Sequence, residues 1–316
     1  MTALSAALPI SRLPLLVTGA HRTGTTWVGK MLAASGEAAY ISEPLNVLHR
    51  RGVMDAPVHY WYQYLCGENE TQYLPALRQT LAFHYRWWAE MRSLHSRRDV
   101  LRMGRDGWTF TRAWLRRQRP LLKDPFAIFS IPWFMDRLGC QVVVTVRHPA
   151  AFASSLKRLD WPFDFRDLLA QPLLMDHLLE AQRGEMQSLV DHPDLIGQAS
   201  LLWRLVYQAV EQYRQQRPGV LVVRHEDLSL DPVSGYRQLY QQLGLCFDGR
   251  VEQAILSSSS SENPQELSQK KVHSVRLDSR ANLHNWKRRL EPAEIERVRL
   301  QTADLAARYY PEMDWD

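Results

Sequence analysis

Short apolar runs recur along the chain at 14–18, 39–42, 120–122, 141–146 and 219–223, each the length of a strand. After four of them the pattern changes to the spacing of amphipathic helices, at 24–35, 127–138, 150–158 and 232–243. QVVVTV at 141–146 is apolar almost throughout, as a strand covered on both faces must be. Strands alternating with helices predict parallel β–α units. The expected fold is therefore α/β, in three layers, with a mostly parallel sheet of about five strands. Between the second and third strands lies a long segment rich in aromatics and arginines, including HYWYQYL and FHYRWW. This segment, 45–118, and a second at 160–216 are expected as helical inserts over the strand ends. No repeat or linker interrupts the pattern, so residues 1–316 are expected to form one domain. Ser257–Ser261 and the following Glu262, Asn263 and Pro264 mark a helix end running into a mobile loop.

Composition narrows the picture only modestly. With 316 residues, 45% of them hydrophobic, the chain can bury a large core. Its formal charge is +5, which suits an anionic ligand without demanding nucleic acid. No motif that reads RNA or DNA occurs, and no apolar run approaches the roughly 20 residues of a membrane span. The opening MTALSAALPISRLP lacks the pattern of a secretory leader. Cys66, Cys140 and Cys246 are far apart and odd in number, giving neither a disulfide framework nor metal spacing. A cytoplasmic location follows as the default. Oligomeric state leaves no trace in the sequence.

The chemistry begins at VTGAHRTGTTWVGKML, 17–32. Two glycines five residues apart, between an apolar strand and a helix, follow the layout G-x-x-x-x-G-K-[ST], a P-loop-like phosphate-binding turn. Thr25 stands where that layout has lysine, and Arg22 is the only cation inside the loop. Backbone amides of such a turn and the N-terminus of the next helix attract an anion, to which Thr25 and Thr26 add hydroxyls. No strand ends in an aspartate suited to a metal; QVVVTV ends in Arg147. Pro149 then opens a helix that carries Ser154 and Ser155. The loop and Arg147 should thus leave neighbouring strands on the same side of the sheet, as two anion sites near each other. Taken alone, TGAHRTGTT also fits an ordinary β-to-α turn.

Together these stretches resemble the sulfotransferase family that uses 3′-phosphoadenosine-5′-phosphosulfate (PAPS). HRTGTTW is similar to the family's 5′-phosphosulfate loop, which implies nucleotide contacts from Arg22, Thr23, Gly24, Thr25, Thr26 and Trp27, with Trp27 near the adenine. An arginine at a strand end with a serine eight residues on is similar to the family's 3′-phosphate motif, which implies Arg147 and Ser155. LLKDPF, VVRHEDL and HNWKRRLEP extend the likeness, and the two inserts fall outside it. The chain also departs from the pattern. Pro125 occupies the place of the histidine base of many soluble members. SRANLHNW replaces the usual arginine-lysine-glycine stretch, leaving Arg280, or else Arg276, for the 3′-phosphate. His225 stands where some members have an adenine-touching tyrosine, and His148 receives no role.

The implied reaction moves a sulfuryl group from PAPS, without a metal, to a hydroxyl on a small-molecule or carrier-bound acceptor. Such transfer depends on positioning and charge stabilisation. Arg22 and Lys123 are expected to flank the migrating group. An ion pair between Lys123 and an acid such as Asp124 is the plain structural reading of that lysine. Glu43, in ISEPLN at the end of the second strand, is the expected general base, and the match to glutamate-proline members favours a carbohydrate-like or other alcohol acceptor. The opposing reading has Glu43 only orient an arginine. Asp124 is the reserve base. His21 is expected to pack or to face solvent, whereas His49, His59 and His84 could line an acceptor pocket. The aromatic insert is either core or acceptor wall. The arginine run 97–119 is a solvated helix face or, less simply, a contact for an anionic acceptor or charged carrier. The competing function is a metal-dependent, kinase-like phosphotransferase with a degenerate loop.

Overall fold

Five parallel strands form one sheet in the order β2-β3-β1-β4-β5 in a computed structural model that describes residues 13–266, 276–311 and 315. The strands are β1 (Leu15–Gly19), β2 (Ala38–Ser42), β3 (Arg119–Lys123), β4 (Gln141–Val146) and β5 (Val220–Arg224). Each covers an apolar run of the sequence to within two residues, and every pair is parallel. Most of the opening MTALSAALPISRLP lies outside the described residues. Among those described, no helix is long and apolar enough to cross a membrane.

Side-chain alternation sends the strands' residues into two apolar layers. Leu15, Val17, Leu121 and Val143 meet the helices Thr25–Leu32, Pro232–Leu243 and Gly249–Ser259 on one face. On the other face Leu16, Leu122, Val142, Val144 and Val146 meet Ile131–Leu138, Pro149–Leu159, Leu195–Gln216 and Pro292–Ala306. The result is a three-layer α/β fold. Of the stretch expected as a second insert, the part from Leu195 to Gln216 is a 22-residue helix that covers the sheet, burying Trp203 and Tyr207 completely. Residues 160–194 remain as short helical pieces beyond β4.

The strand order positions the site. The chain leaves β1 toward β2 on one side and leaves β4 toward β5 on the other. The carboxyl ends of β1 and β4 therefore flank a topological switch point, where open α/β sheets bind ligands. Gly19 pairs with Thr145 there, so the loop after β1 and Arg147 after β4 emerge side by side.

Candidate active site

The loop after β1 is braced from within. Thr23 sends its hydroxyl to the Ala20 carbonyl (2.6 Å) and shares a hydrogen bond with the Thr145 hydroxyl (2.8 Å), tying the turn to β4. Gly24 caps the helix Thr25–Leu32 with φ 95°, and a Cβ there would lie 2.7 Å from His225 Nδ1. Only glycine combines that backbone with that close approach. The helix then opens with a buried Thr25 and a partly exposed Thr26. Its first amides have no partner within the helix and point toward the loop's mouth.

Arg22 and Arg147 meet at this turn. Arg147 Nη1 donates to the Arg22 carbonyl (3.2 Å), and Arg22 Nε donates to Ser155 Oγ (3.3 Å). Both arginines are out of solvent to a large degree. Burial, with the charges of Arg147 and Arg158 added, pulls Arg22 down to about 10. Arg147 is lowered by burial; Glu226 opposes this and Arg289 reinforces it. Arg158 is lowered by burial and then by Arg289. Four guanidiniums thus share one region, and the acids among them are few. Glu226 accepts from the His148 amide (3.0 Å) and from Tyr310 Oη (2.7 Å), while Glu266 pairs with Arg289 (2.7 Å). Arg147 Nε and His225 Nδ1 are buried with no hydrogen-bond partner. A buried guanidinium N–H left unmet beside surplus positive charge suits an anion.

A second group forms at the ends of β2 and β3. Glu43 donates its amide to the Lys123 carbonyl (2.8 Å) and adopts a left-handed φ of 49°. Its carboxylate accepts from Lys123 Nζ on Oε1 and from Asn46 Nδ2 on Oε2 (2.7 Å). The Lys123 side chain is 2% exposed and that of Glu43 22%, so of the pair Glu43 is the one that reaches solvent. Asp124 is fully buried; both its oxygens accept backbone amides, from Leu45 and Phe126. Burial raises it to about 7. It fastens the end of β3 to the start of the first insert at Leu45 and to the turn at Phe126, whereas the Glu43 side chain keeps some exposure. Burial holds His21 down to about 4, with the charge of Arg22 adding to this and Glu43 opposing it.

The profile of the sulfotransferase family matches residues 14–249, about three quarters of the chain and all five strands. The chain belongs to the sulfotransferase family. No curated protein sequence matches it. Among solved structures it is similar to the sulfotransferase domain from the curacin biosynthetic pathway (17% identity, TM-score 0.46, covering 92% of this chain and 98% of that one). It is also similar to a sulfotransferase from Mycobacterium avium (16%, 0.46, 97% and 78%) and to a mouse sulfotransferase complexed with PAP (12%, 0.46, 96% and 86%). The family assignment rests on the profile.

In this sulfotransferase the remaining residues singled out in the sequence fall into distinct places. Trp27 donates its indole N–H to Ser258 Oγ (2.9 Å) and stands edge-on to His225 and Tyr236, with ring centroids 5.8 and 5.4 Å away. These rings wall the loop beside Gly24. Arg280 is exposed and gives Nε and Nη2 to the Leu230 carbonyl (3.2 and 2.8 Å). Arg289 and Arg158 carry charge near enough to Arg147 to add to the lowering that burial causes. The sequence did carry a signal for both, Arg158 one turn beyond Ser155 and Arg289 inside HNWKRRLEP. His148 caps the helix Pro149–Leu159 through its ring and stacks on Trp286 (4.9 Å). His21 packs among Phe126, Phe152 and Phe163 and bonds Tyr62 Oη (2.7 Å). Tyr62, Phe83 and Tyr85 of the aromatic insert are buried, Tyr60, Trp61 and Tyr64 half-buried, and Trp87 and Trp88 exposed. Among the described residues, the one group of side chains dense enough for a metal is Cys66, Glu68 and His177, in the two insert segments.

Proposed function

We propose that this sulfotransferase takes the sulfuryl group of PAPS and passes it to the hydroxyl of an alcohol, carbohydrate-like or otherwise small, free or borne on a carrier. The observation that carries this reading is the buried, unpartnered Nε of Arg147 beside Arg22, in a region where guanidiniums outnumber carboxylates. A nucleotide phosphorylated at two positions supplies the missing negative charge. Arg22 and the amides of Gly24, Thr25 and Thr26 suit the 5′ end. Arg147 and Ser155, with Arg289 and Arg158 nearby, suit the 3′-phosphate. Trp27 and His225 suit the adenine. Bound there, PAPS supplies an activated sulfuryl group on a phosphate leaving group.

The protein's own part is to hold charge and move one proton. Arg22 and the helix-end amides stabilise negative charge growing on the leaving phosphate. Glu43 takes the acceptor's proton on its carboxylate. Lys123 holds that carboxylate in place, and as Glu43 becomes neutral its grip on Lys123 weakens. The ammonium is then released to face the negative charge of the transfer step. The same ion pair also suits a simpler role, in which Glu43 only positions Lys123 and water takes the proton.

Thermal-shift titration tests the nucleotide. Adenosine 3′,5′-bisphosphate should stabilise the protein without magnesium, and ATP should do so far less. Equal stabilisation by magnesium-ATP would favour the kinase-like alternative. Mass spectrometry of candidate alcohols incubated with PAPS then finds the acceptor.

A further inference from the structure

The helix Arg97–Leu115 carries a feature that sulfuryl transfer does not use. Residues 86–119 contain ten arginines, no lysine and three acids, a formal charge of +7 against +5 for the whole chain. The rest of the protein is therefore slightly acidic, and its basicity is gathered into this one segment. Gly107, Phe110 and Ala113 are the buried side of the helix, and Trp87 fills the notch at Gly107. On the opposite side Leu101, Trp108 and Leu115 recur every seven residues and are 75%, 65% and 64% exposed. Seven residues bring a helix back to nearly the same face, so these three form a ridge about 21 Å long. Arg98, Arg105 and Arg112 recur with the same period, three residues earlier, and all are exposed. Arg97, Arg102 and Arg116 are exposed as well, and Trp88, beside Trp87 in the chain, is 76% exposed. Asp99 and Asp106 face Arg50, Arg102 and Arg105, which leaves the surface strongly cationic.

We propose that this face docks on an anionic phospholipid surface. Large apolar side chains standing in water along a helix, flanked by cations, have the composition of an interfacial helix. Leucine and tryptophan would enter the headgroup–acyl boundary while the guanidiniums reach lipid phosphates, and the long arginine stems let each charge stay at the headgroup level. A second copy of the chain would bring the same arginines face to face. A nucleic acid offers the leucines no counterpart. A folded acidic partner would need a groove shaped to this ridge, whereas a bilayer yields to any ridge. The inference stands independently of the choice of sulfate acceptor.

Co-sedimentation of the full chain with vesicles tests it. The protein should partition onto phosphatidylcholine vesicles containing phosphatidylglycerol at low salt, far less onto phosphatidylcholine alone, and less again when salt is raised. Each arginine near an anionic surface multiplies partition about fivefold, so Arg98→Ala, Arg105→Ala and Arg112→Ala together should lower it about a hundredfold. Trp108→Ala should lower the part that survives high salt. All four positions are exposed, so both variants should keep the wild-type thermal midpoint and nucleotide affinity. Absence of wild-type partition onto anionic vesicles overturns the proposal, as does partition unchanged in both variants. Retention of the protein by an acidic protein without vesicle binding also counts against it.

Discussion

Replacing Arg147 by alanine tests the two-ended anion site most directly. In the ligand-free protein the side chain makes one hydrogen bond, from Nη1 to the Arg22 carbonyl, and leaves Nε unmet. It also stands against the charges of Arg289 and Arg158, with Glu226 as its counterweight. Removing it opens a cavity and frees Glu226, but it also relieves repulsion among cations. The ligand-free variant should therefore lose less than the 3–5 kcal/mol or so that breaking a well-satisfied buried pair costs. Ligand binding should behave differently. A charge-assisted contact to phosphate contributes about 1.5–3 kcal/mol, so adenosine 3′,5′-bisphosphate should bind roughly 10- to 150-fold more weakly. Adenosine 5′-monophosphate lacks the group that Arg147 would meet. It should lose only what the slackened loop costs, about 0.5–1.5 kcal/mol for one neutral hydrogen bond, or roughly tenfold at most. Isothermal titration of both nucleotides without magnesium, on wild type and variant, isolates the 3′ term as the difference between the two losses. Equal losses for both nucleotides, or none for the bisphosphate, would refute the assignment of Arg147.

Three further outcomes follow from the same geometry. Glu43→Gln should keep nucleotide affinity and reduce turnover by about a hundredfold or more if the carboxylate is the base; single-turnover kinetics decide, and unaltered turnover would pass the proton to solvent or to Asp124. Gly24→Ala should lower the thermal midpoint and weaken nucleotide binding, because the left-handed backbone costs about 1–2 kcal/mol and the new Cβ presses on His225; a midpoint equal to wild type would contradict this. Burial, followed by the charge of Arg147, holds His225 down to about 3, whereas an unfolded imidazole takes its proton near 6.5. Between those values the unfolded chain binds more protons, so the stability of the wild type relative to His225→Phe should fall as pH drops below about 6.5, by about 1.4 kcal/mol per unit; parallel denaturation midpoints for the two proteins from pH 7 to 5 would show that His225 is not held neutral.

The sheet was legible because its strands are short apolar runs and its helices keep their period. The meeting of Arg22 and Arg147 was legible too, since both leave parallel strands at the carboxyl end. Strand order was not legible. That Ser42 lies beside Lys123 is a property of the β2–β3 pairing, and it is what brings Glu43 onto Lys123. In the sequence Arg158 and Arg289 are two of many arginines, with nothing in their spacing to point at Arg147. Only the packing of the helices Pro149–Leu159 and Asn285–Arg289 against each other turns them toward Arg147. The helix Leu195–Gln216 lies between two strands, in the stretch where the sequence predicts an insert. Its buried tryptophan and tyrosines make it a layer of the core, which periodicity alone does not separate from a helix over the sheet edge.

Backbone strain ties the two halves of the site together. Among the described residues, six that are not glycine have positive φ. Phe83, Arg117 and Asp160 follow helix ends, where a left-handed residue is the usual terminator. Arg22, Glu43 and Tyr62 do not, and each makes a contact within the site. Arg22 bonds Ser155, Glu43 bonds Lys123, and Tyr62 bonds His21 inside the loop. A left-handed conformation costs such residues about 1–2 kcal/mol each and persists only where the surroundings enforce it. Here the enforcing contacts lie in the protein itself: Thr23 and Arg147 around Arg22, Lys123 and Asn46 around Glu43. The fold therefore spends stability to aim these side chains before any ligand arrives. That arrangement suits transfer of a group carrying little covalent chemistry of its own, where pre-set charge and position supply the rate.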